Sequence, residues 1–109
     1  MPASVAEIMM SLPSAFAPEK AEGVDAVVHF KFTGAEAGEW NAIIRDGQCR
    51  VAQGIPRSKP TFSLAADSVD FVRVVAGELD GAQAFMDGTL KLTGDRLVAR
   101  KLITLFRIP

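Results

Sequence analysis

The sequence holds few of the side chains that perform chemistry. Among its 109 residues are one cysteine, one histidine and no tyrosine. A single cysteine excludes an internal disulfide, and no His/Cys cluster has the spacing of metal ligands. The glycine-rich phosphate loops, dinucleotide fingerprints and nucleophile elbows of common enzymes are also absent. We therefore expect a protein that binds rather than catalyses, with no cofactor and no metal.

Long apolar runs and a strong net charge are missing as well. No uncharged apolar run reaches the roughly 20 residues of a membrane-spanning helix. The net charge of −1 gives the chain as a whole no nucleic-acid signature. The first residues lack the basic start of a secretion signal, and Glu7 interrupts their apolar stretch. These absences predict a cytoplasmic protein with a single domain over residues 1–109, because this length leaves no room for two cores.

Apolar side chains, in contrast, are abundant. Hydrophobic residues make up 49% of the chain and charged residues 23%, which excludes disorder of the whole chain. Charge is unevenly distributed: residues 1–40 carry six acidic and two basic side chains, and residues 89–109 carry one acidic and five basic. Either the two ends face each other in the fold, or the basic end meets an anionic surface.

The signals for secondary structure follow the order helix, four strands, two helices, strand, helix. Ser4 and Glu7 have the spacing of a capping box, and Pro13 is expected to limit the first helix. Asp67 and Asp80 are expected to cap the two middle helices. Runs of strands and clustered helices indicate an α+β fold with a mainly antiparallel sheet. Strands are predicted over residues 25–33, 39–45, 48–52, 61–64 and 89–93, and the last helix over 96–107.

The first predicted strand alternates between apolar and polar side chains. Its even-numbered residues from 26 to 32 are apolar, so we expect a sheet covered on one face only. This places His29 on the exposed surface, without an orienting carboxylate. Cys49 shares an apolar face with Val51 and is expected to be a buried, inert thiol.

Two pairs of carboxylates resemble the acid–base pairs of enzymes. Glu36 and Glu39 are expected in a hairpin loop, and Asp67 and Asp70 at a helix N-terminus where acidic residues are favoured. Structural roles therefore explain both pairs better than catalysis does.

The last predicted helix is apolar over a wide arc. Eight apolar side chains spread over roughly 240° at about 100° per residue, whereas a helix packed on one sheet needs about 100°. Neighbouring helices, a partner chain or an apolar ligand would cover the remainder. Arg96, Arg100, Thr104 and Arg107 form the narrow polar arc, which either contacts anionic lipid head groups or is simply solvated.

The segment from Gly77 to Asp95, GELDGAQAFMDGTLKLTGD, resembles the signature of the sterol carrier protein type 2 family. That signature is a glycine, a short polar turn, Ala-Phe-Met, a glycine, an alternating Leu-Lys-Leu strand and Gly-Asp opening the last helix. The preceding helix and the paired N-terminal strands match in order and spacing, so the resemblance covers nearly the whole chain.

This resemblance implies a five-stranded sheet with helices on one face and an apolar tunnel between them. It implies non-catalytic binding and carriage of a fatty acid, an acyl-CoA, a sterol or an isoprenoid-like lipid. We expect a free-standing member of bacterial type, since the chain does not end in the peroxisomal tripeptide Ser-Lys-Leu.

The resemblance and the predicted faces together suggest which side chains line the tunnel. Each of them is equally well explained as an ordinary core residue. They are Phe30, Phe32, Trp40, Ile44, Phe62, Phe71, Val75, Phe85, Met86, Leu90, Leu102, Leu105 and Phe106. Arg96, Arg100 and Arg107 are the expected membrane-facing residues, making transient contact with an anionic surface.

Two other functions remain open at this stage. The chain could be an interaction module that forms a homodimer or docks on an enzyme of lipid or quinone metabolism, without a transported ligand. A small enzyme acting on an apolar substrate is the third alternative, with His29 as its best candidate residue.

Overall fold

The structure is a computed structural model that describes residues 4–20 and 23–103. Within these residues, helices pack on one face of a five-stranded sheet, which confirms the α+β class. The α-helices are α1 (Val5–Ala15), α2 (Ser68–Val75), α3 (Gly81–Asp87) and α4 (Arg96–Ile103). The strands are β1 (Ala26–Thr33), β2 (Gly38–Arg45), β3 (Gln48–Gln53), β4 (Phe62–Asp67) and β5 (Leu90–Gly94).

The strands lie in the order β3-β2-β1-β4-β5. Three neighbouring pairs are antiparallel, and β1 and β4 are parallel, so the sheet is mainly antiparallel as predicted. The register places Phe30 of β1 opposite Trp40 of β2 and Leu64 of β4. Since side chains alternate along a strand, these three belong to the same face, which is the one that the helices cover.

The connection from β3 to β4 crosses the outer face of this sheet. At its start, the amide of Gly54 donates a hydrogen bond to the carbonyl oxygen of Glu39 at 2.7 Å. At its end, the amide of Thr61 donates a hydrogen bond to the carbonyl oxygen of Val27, also at 2.7 Å. The connection therefore runs from one end of the β1–β2 pair to the other, and Val27 and His29 of β1 are both buried. The expectation of a sheet covered on one face only is wrong at the centre of β1, because this crossing segment covers the second face.

The helix N-termini are formed as the sequence predicts. Side-chain oxygens of Ser4, Asp67 and Asp80 accept hydrogen bonds from amides in the first turns of α1, α2 and α3. Glu36 has a structural role, since its carboxylate accepts a hydrogen bond from the amide of Val5 at 3.1 Å. This bond ties the start of α1 to the connection between β1 and β2.

The strand boundaries differ from the prediction by one residue in most cases, and two element boundaries differ by more. Helix α1 continues through Pro13 to Ala15, because the missing amide of a proline removes one hydrogen bond near the end of a helix that is held by its buried stripe. Strand β4 continues past Leu64 to Asp67, because Ala65 and Ala66 pair with both β1 and β5. Small alanine side chains carry little strand signal, which is why the sequence pattern ended the strand early.

Candidate functional site

A large cavity separates the inner face of the sheet from the helices. It has a volume of about 820 Å³ and receives side chains from α1, α2, α3 and α4 and from all strands except β3. Its lining is almost wholly apolar, with no aspartate or glutamate among the described residues. An apolar cavity of this volume lies within the roughly 300–1,000 Å³ range of small-molecule pockets.

The sheet supplies the floor of the cavity through alternate residues of its central strands. Val28 and Phe30 of β1, Ile44 of β2 and Phe62 and Leu64 of β4 all line it. Because side chains alternate between the two faces, this floor follows from the apolar periodicity of the strands. Several of these side chains also belong to a cluster of buried residues, so the floor of the cavity is continuous with the core.

The helices supply the walls. Ile8 and Leu12 come from the apolar stripe of α1, Phe71 and Val75 from α2, and Phe85 from α3. The Phe71 ring packs 4.8 Å, centroid to centroid, from the Phe32 ring, which fixes α2 over β1. The walls are therefore held in place by apolar packing together with polar contacts of Glu36, which bonds the start of α1 and Ser68 of α2.

Within the described part of the chain, the cavity opens between α3, β5 and α4. The wall residues on this side are exposed: they include Phe85 of α3 and Arg96 and Arg100 of α4. Lys91 of β5 also borders the cavity, but it pairs with Ala65 and its side chain belongs to the outer face of the sheet. The opening thus combines an aromatic ring with two cationic side chains. Arg96 and Arg100, which we expected to face a membrane, lie on the cavity wall.

More than half of the expected tunnel residues line this cavity. They are Phe30, Ile44, Phe62, Phe71, Val75, Phe85 and Leu90. Leu105, Phe106 and Arg107 and the side chain of Leu102 lie outside the part of the chain that the structure describes.

Three expected residues lie elsewhere. Phe32 and Trp40 are buried in the core cluster formed with α1 and α2, off the cavity wall. Met86 follows the wall residue Phe85 on α3 but is 82% exposed and points away from the interior. Within α3 the fully buried residue is Ala84, which the apolar pattern did not single out.

Several lining residues were missed in the sequence. Ile8 and Leu12 of α1 line the cavity but were not predicted to do so, since no local signal shows which part of the sheet a helix covers. Leu64 and Leu92 lie opposite each other on β4 and β5. Their inward orientation was predictable from alternation, whereas their position beside the cavity depends on the pairing of the strands.

His29 is buried, which corrects the prediction of an exposed histidine. Its Nε2 lies 2.9 Å from Oε1 of Glu39, and the Asn41 amide beside it donates to the carbonyl oxygen of Gly54 at 2.9 Å. Glu39 belongs to β2 rather than to a hairpin loop. These polar groups fasten the crossing connection to the outer face, on the opposite side of the sheet from the cavity.

Cys49 shares the inner face of β3 with Val51, as the sequence predicts, and both pack partly buried against the core. Burial raises the pKa of the Cys49 thiol to about 11. The thiol is therefore neutral at physiological pH, which fits a packing role and not a nucleophilic one.

A smaller hollow of about 290 Å³ lies at the β2–β3 hairpin, lined by Ile43, Arg45, Asp46, Gln48 and Arg50. Its polar lining and the ion pair of Arg45 with Asp25, at 3.2 Å, make it a solvated surface depression.

No group of three or more potential metal ligands occurs among the residues described. In that same part of the chain no helix is both long and apolar enough to span a membrane.

Comparisons with known proteins agree with this architecture. A model of the SCP-2 sterol transfer family matches residues 7–107. Hydroxysteroid dehydrogenase-like protein 2 of Xenopus tropicalis is 30% identical over 96 residues, which cover 88% of this chain and 23% of that protein. The chain spans about a fifth of the length of the curated relatives it matches.

Solved structures show the same fold. The sterol carrier protein domain 2 of Helicoverpa armigera superposes with a TM-score of 0.78 at 26% identity, covering 93% of this chain and 84% of that one. The sec-alkylsulfatase Pisa1 from Pseudomonas sp. has a TM-score of 0.78 at 21% identity, covering 91% of this chain but 16% of that one. Domains of this type bind lipids, typically without catalysing a reaction, and also occur as parts of larger enzymes. The match over nearly the whole length shows that the chain belongs to the SCP-2 sterol transfer family.

Proposed function

We propose that this domain binds one apolar lipid molecule in the cavity between sheet and helices and carries it without chemical change. The candidate ligands are a fatty acid, an acyl-CoA, a sterol and an isoprenoid-like lipid. The observation that carries the proposal is an apolar cavity of about 820 Å³ in a domain of 109 residues. A protein interior is normally packed with few voids larger than a water molecule, so a space of this volume calls for an occupant.

Burial of a hydrocarbon chain supplies enough free energy for carriage. Each buried methylene contributes about 0.8 kcal/mol, so a chain of sixteen carbons gains roughly 13 kcal/mol before ordering costs. Micromolar affinity corresponds to about 8 kcal/mol. The cavity therefore needs no strong polar anchor, and release remains fast enough for a carrier.

The side chains that we assign to the ligand are those of the cavity floor and walls. Phe30, Phe62 and Leu64 would contact it from the sheet, and Phe71 and Phe85 from the helices. Phe30 and Leu64 are only partly buried although they lie at the centre of the sheet. Their remaining exposed surface faces the cavity, and a bound lipid would remove it from water.

The test is to extract lipids from the purified protein and to identify them by mass spectrometry. The proposal predicts an apolar molecule in a ratio of about one per chain, and reloading of the delipidated protein with a matching lipid. A second protein of similar size, purified from the same cells in the same way, controls for carry-over of bulk lipid. Absence of a stoichiometric lipid, together with no uptake by the delipidated protein, would refute the proposal.

A second function is favoured by the lengths of the relatives. Since this chain matches about a fifth of the dehydrogenase-like proteins, we infer as the alternative that it docks on an enzyme partner or forms a homodimer, without a transported ligand. Met86 and Leu97 are 82% and 79% exposed on α3 and α4 and are among the apolar side chains available for such contacts. Sedimentation of the delipidated protein distinguishes the functions: a tight dimer without lipid uptake supports the interaction module, and a monomer that takes up lipid supports the carrier.

A further inference from the structure

The opening of the apolar cavity is positively charged. Arg96 and Arg100 lie on its wall and are exposed. The described residues place no carboxylate on that wall, and none of the ion pairs formed between them involves these two arginines. Cations without counter-ions beside an apolar wall create a potential that favours an amphipathic ligand with an anionic end.

The geometry of α4 directs its two arginines to the cavity. Arg96 and Arg100 are four residues apart and so lie on one face of the helix, one turn from each other. Ala99 next to them is buried against the sheet, at 3% exposure, whereas Leu97 is 79% exposed and does not line the cavity. The side chains of Arg96 and Arg100 therefore lie along the cavity opening, and the side chain of Leu97 points away from it.

We propose that Arg96 and Arg100 bind the anionic head group of the cavity's ligand, a carboxylate or a phosphate ester. This domain would then prefer acidic lipids over neutral lipids of the same chain length. The inference rests on the proposed function and specifies the ligand class within it. At the opening an ionised head group keeps part of its hydration while the hydrocarbon chain enters the cavity, which avoids the cost of burying a charge. Guanidinium groups suit this task because they donate two parallel hydrogen bonds to carboxylate or phosphate oxygens.

The same arginines were also expected to contact an anionic membrane, and the two roles differ in a measurable way. A head-group site changes the affinity for a free lipid when no membrane is present. A membrane contact changes the rate of transfer to anionic vesicles and leaves the affinity for free lipid unchanged.

The experiment measures displacement of the neutral fluorescent probe N-phenylnaphthylamine from the delipidated full chain. Dodecanoate, dodecyl phosphate and dodecanol share one hydrocarbon chain and differ in their head groups. Wild type should bind the two anions about three- to tenfold more tightly than the alcohol, the range expected for two solvent-exposed ion pairs. The preference should shrink in high salt, because exposed ion pairs are screened.

The double substitution Arg96→Gln/Arg100→Gln should abolish most of this preference, because the affinity for the two anions falls far more than the affinity for dodecanol. Continued binding of dodecanol shows that the cavity is intact. Arg57→Gln is the matched control: Arg57 is exposed in the crossing connection and does not line the cavity, so this variant should keep the preference of the wild type.

Several results would overturn the assignment. If the wild type binds the anions and the alcohol with equal affinity, at low and at high salt, the head-group site is rejected, whereas the proposed carriage of a lipid is still supported. A preference retained in the double variant rejects these arginines. Slower transfer to phosphatidylglycerol vesicles with unchanged affinities assigns the arginines to a membrane surface instead. If the wild type binds none of the three lipids, the proposed function itself fails.

Discussion

Replacing Leu64 by tryptophan should block the cavity from within. Leu64 lies on β4 between Phe30 of β1 and Leu92 of β5, and its side chain lines the cavity floor. Tryptophan adds about six heavy atoms to leucine. If these displace about six methylenes of a ligand at about 0.8 kcal/mol each, binding loses ~5 kcal/mol, which exceeds a thousandfold loss of affinity.

The fold should tolerate the Leu64→Trp change. Leu64 is only partly buried, so the indole ring enters an existing space, and any overpacking cost stays within about 1–3 kcal/mol. Displacement of the neutral probe by dodecanol measures the affinity, and urea unfolding measures the stability. Ala65→Trp is the control, because Ala65 is the next residue of β4 and faces the opposite side of the sheet. A folded Leu64→Trp protein that binds lipid like the wild type would refute the reasoning.

Three further predictions concern the frame around the cavity. Gly94→Ala should destabilise the domain by several kcal/mol in urea unfolding, because φ is +104° and the new Cβ would lie 2.6 Å from the carbonyl oxygen of Thr61; unchanged stability would contradict this. Cys49, with its pKa raised from 9.0 to about 11, should react with Ellman's reagent at pH 8 about a hundredfold more slowly in the folded than in the unfolded chain. Since the folded state favours the neutral thiol, this group stabilises the fold below about pH 9 and loses that contribution as the pH rises towards 11. His29→Ala should lower stability by about 1–3 kcal/mol, because it removes a buried imidazole ring together with its bond to Glu39, yet it should leave lipid affinity unchanged; a selective loss of binding would point to a functional histidine.

Local physics accounts for the parts of the fold that the sequence predicted. The side chains of Ser4, Asp67 and Asp80 can act only on the amides that follow them, so the helix starts were readable from spacing alone. The αL conformation of Gly88, with φ of 84°, ends α3 where the sequence places a glycine. Alternation likewise identified the inner face of the strands.

The wrong predictions concern residues whose surroundings are set by contacts between segments that are distant in the sequence. His29 reads as a surface residue because the alternation of β1 places it on the same face as the polar residues Lys31 and Thr33, and nothing near it in the sequence shows that residues 54–61 cross above it. The length of β4 depends on its pairing with two other strands, which a run of alanines does not specify. The place of Phe32 and Trp40 in the core rather than on the cavity wall is decided by where α1 and α2 sit on the sheet. Such non-local contacts set the outline of the cavity, so its residues were predictable as apolar but not as lining.

The most direct measurement of lipid carriage is methyl NMR of the delipidated protein during titration with dodecanoate. Ile8 and Ile44 line the cavity, whereas Ile43 lies on the outer face and Ile55 is exposed in the crossing connection. Binding of lipid in the cavity predicts chemical-shift changes of the Ile8 and Ile44 methyl groups that saturate at one lipid per chain. The methyl groups of Ile43 and Ile55 should change little. Shifts confined to Ile43 and Ile55, or none at saturating lipid, would contradict it.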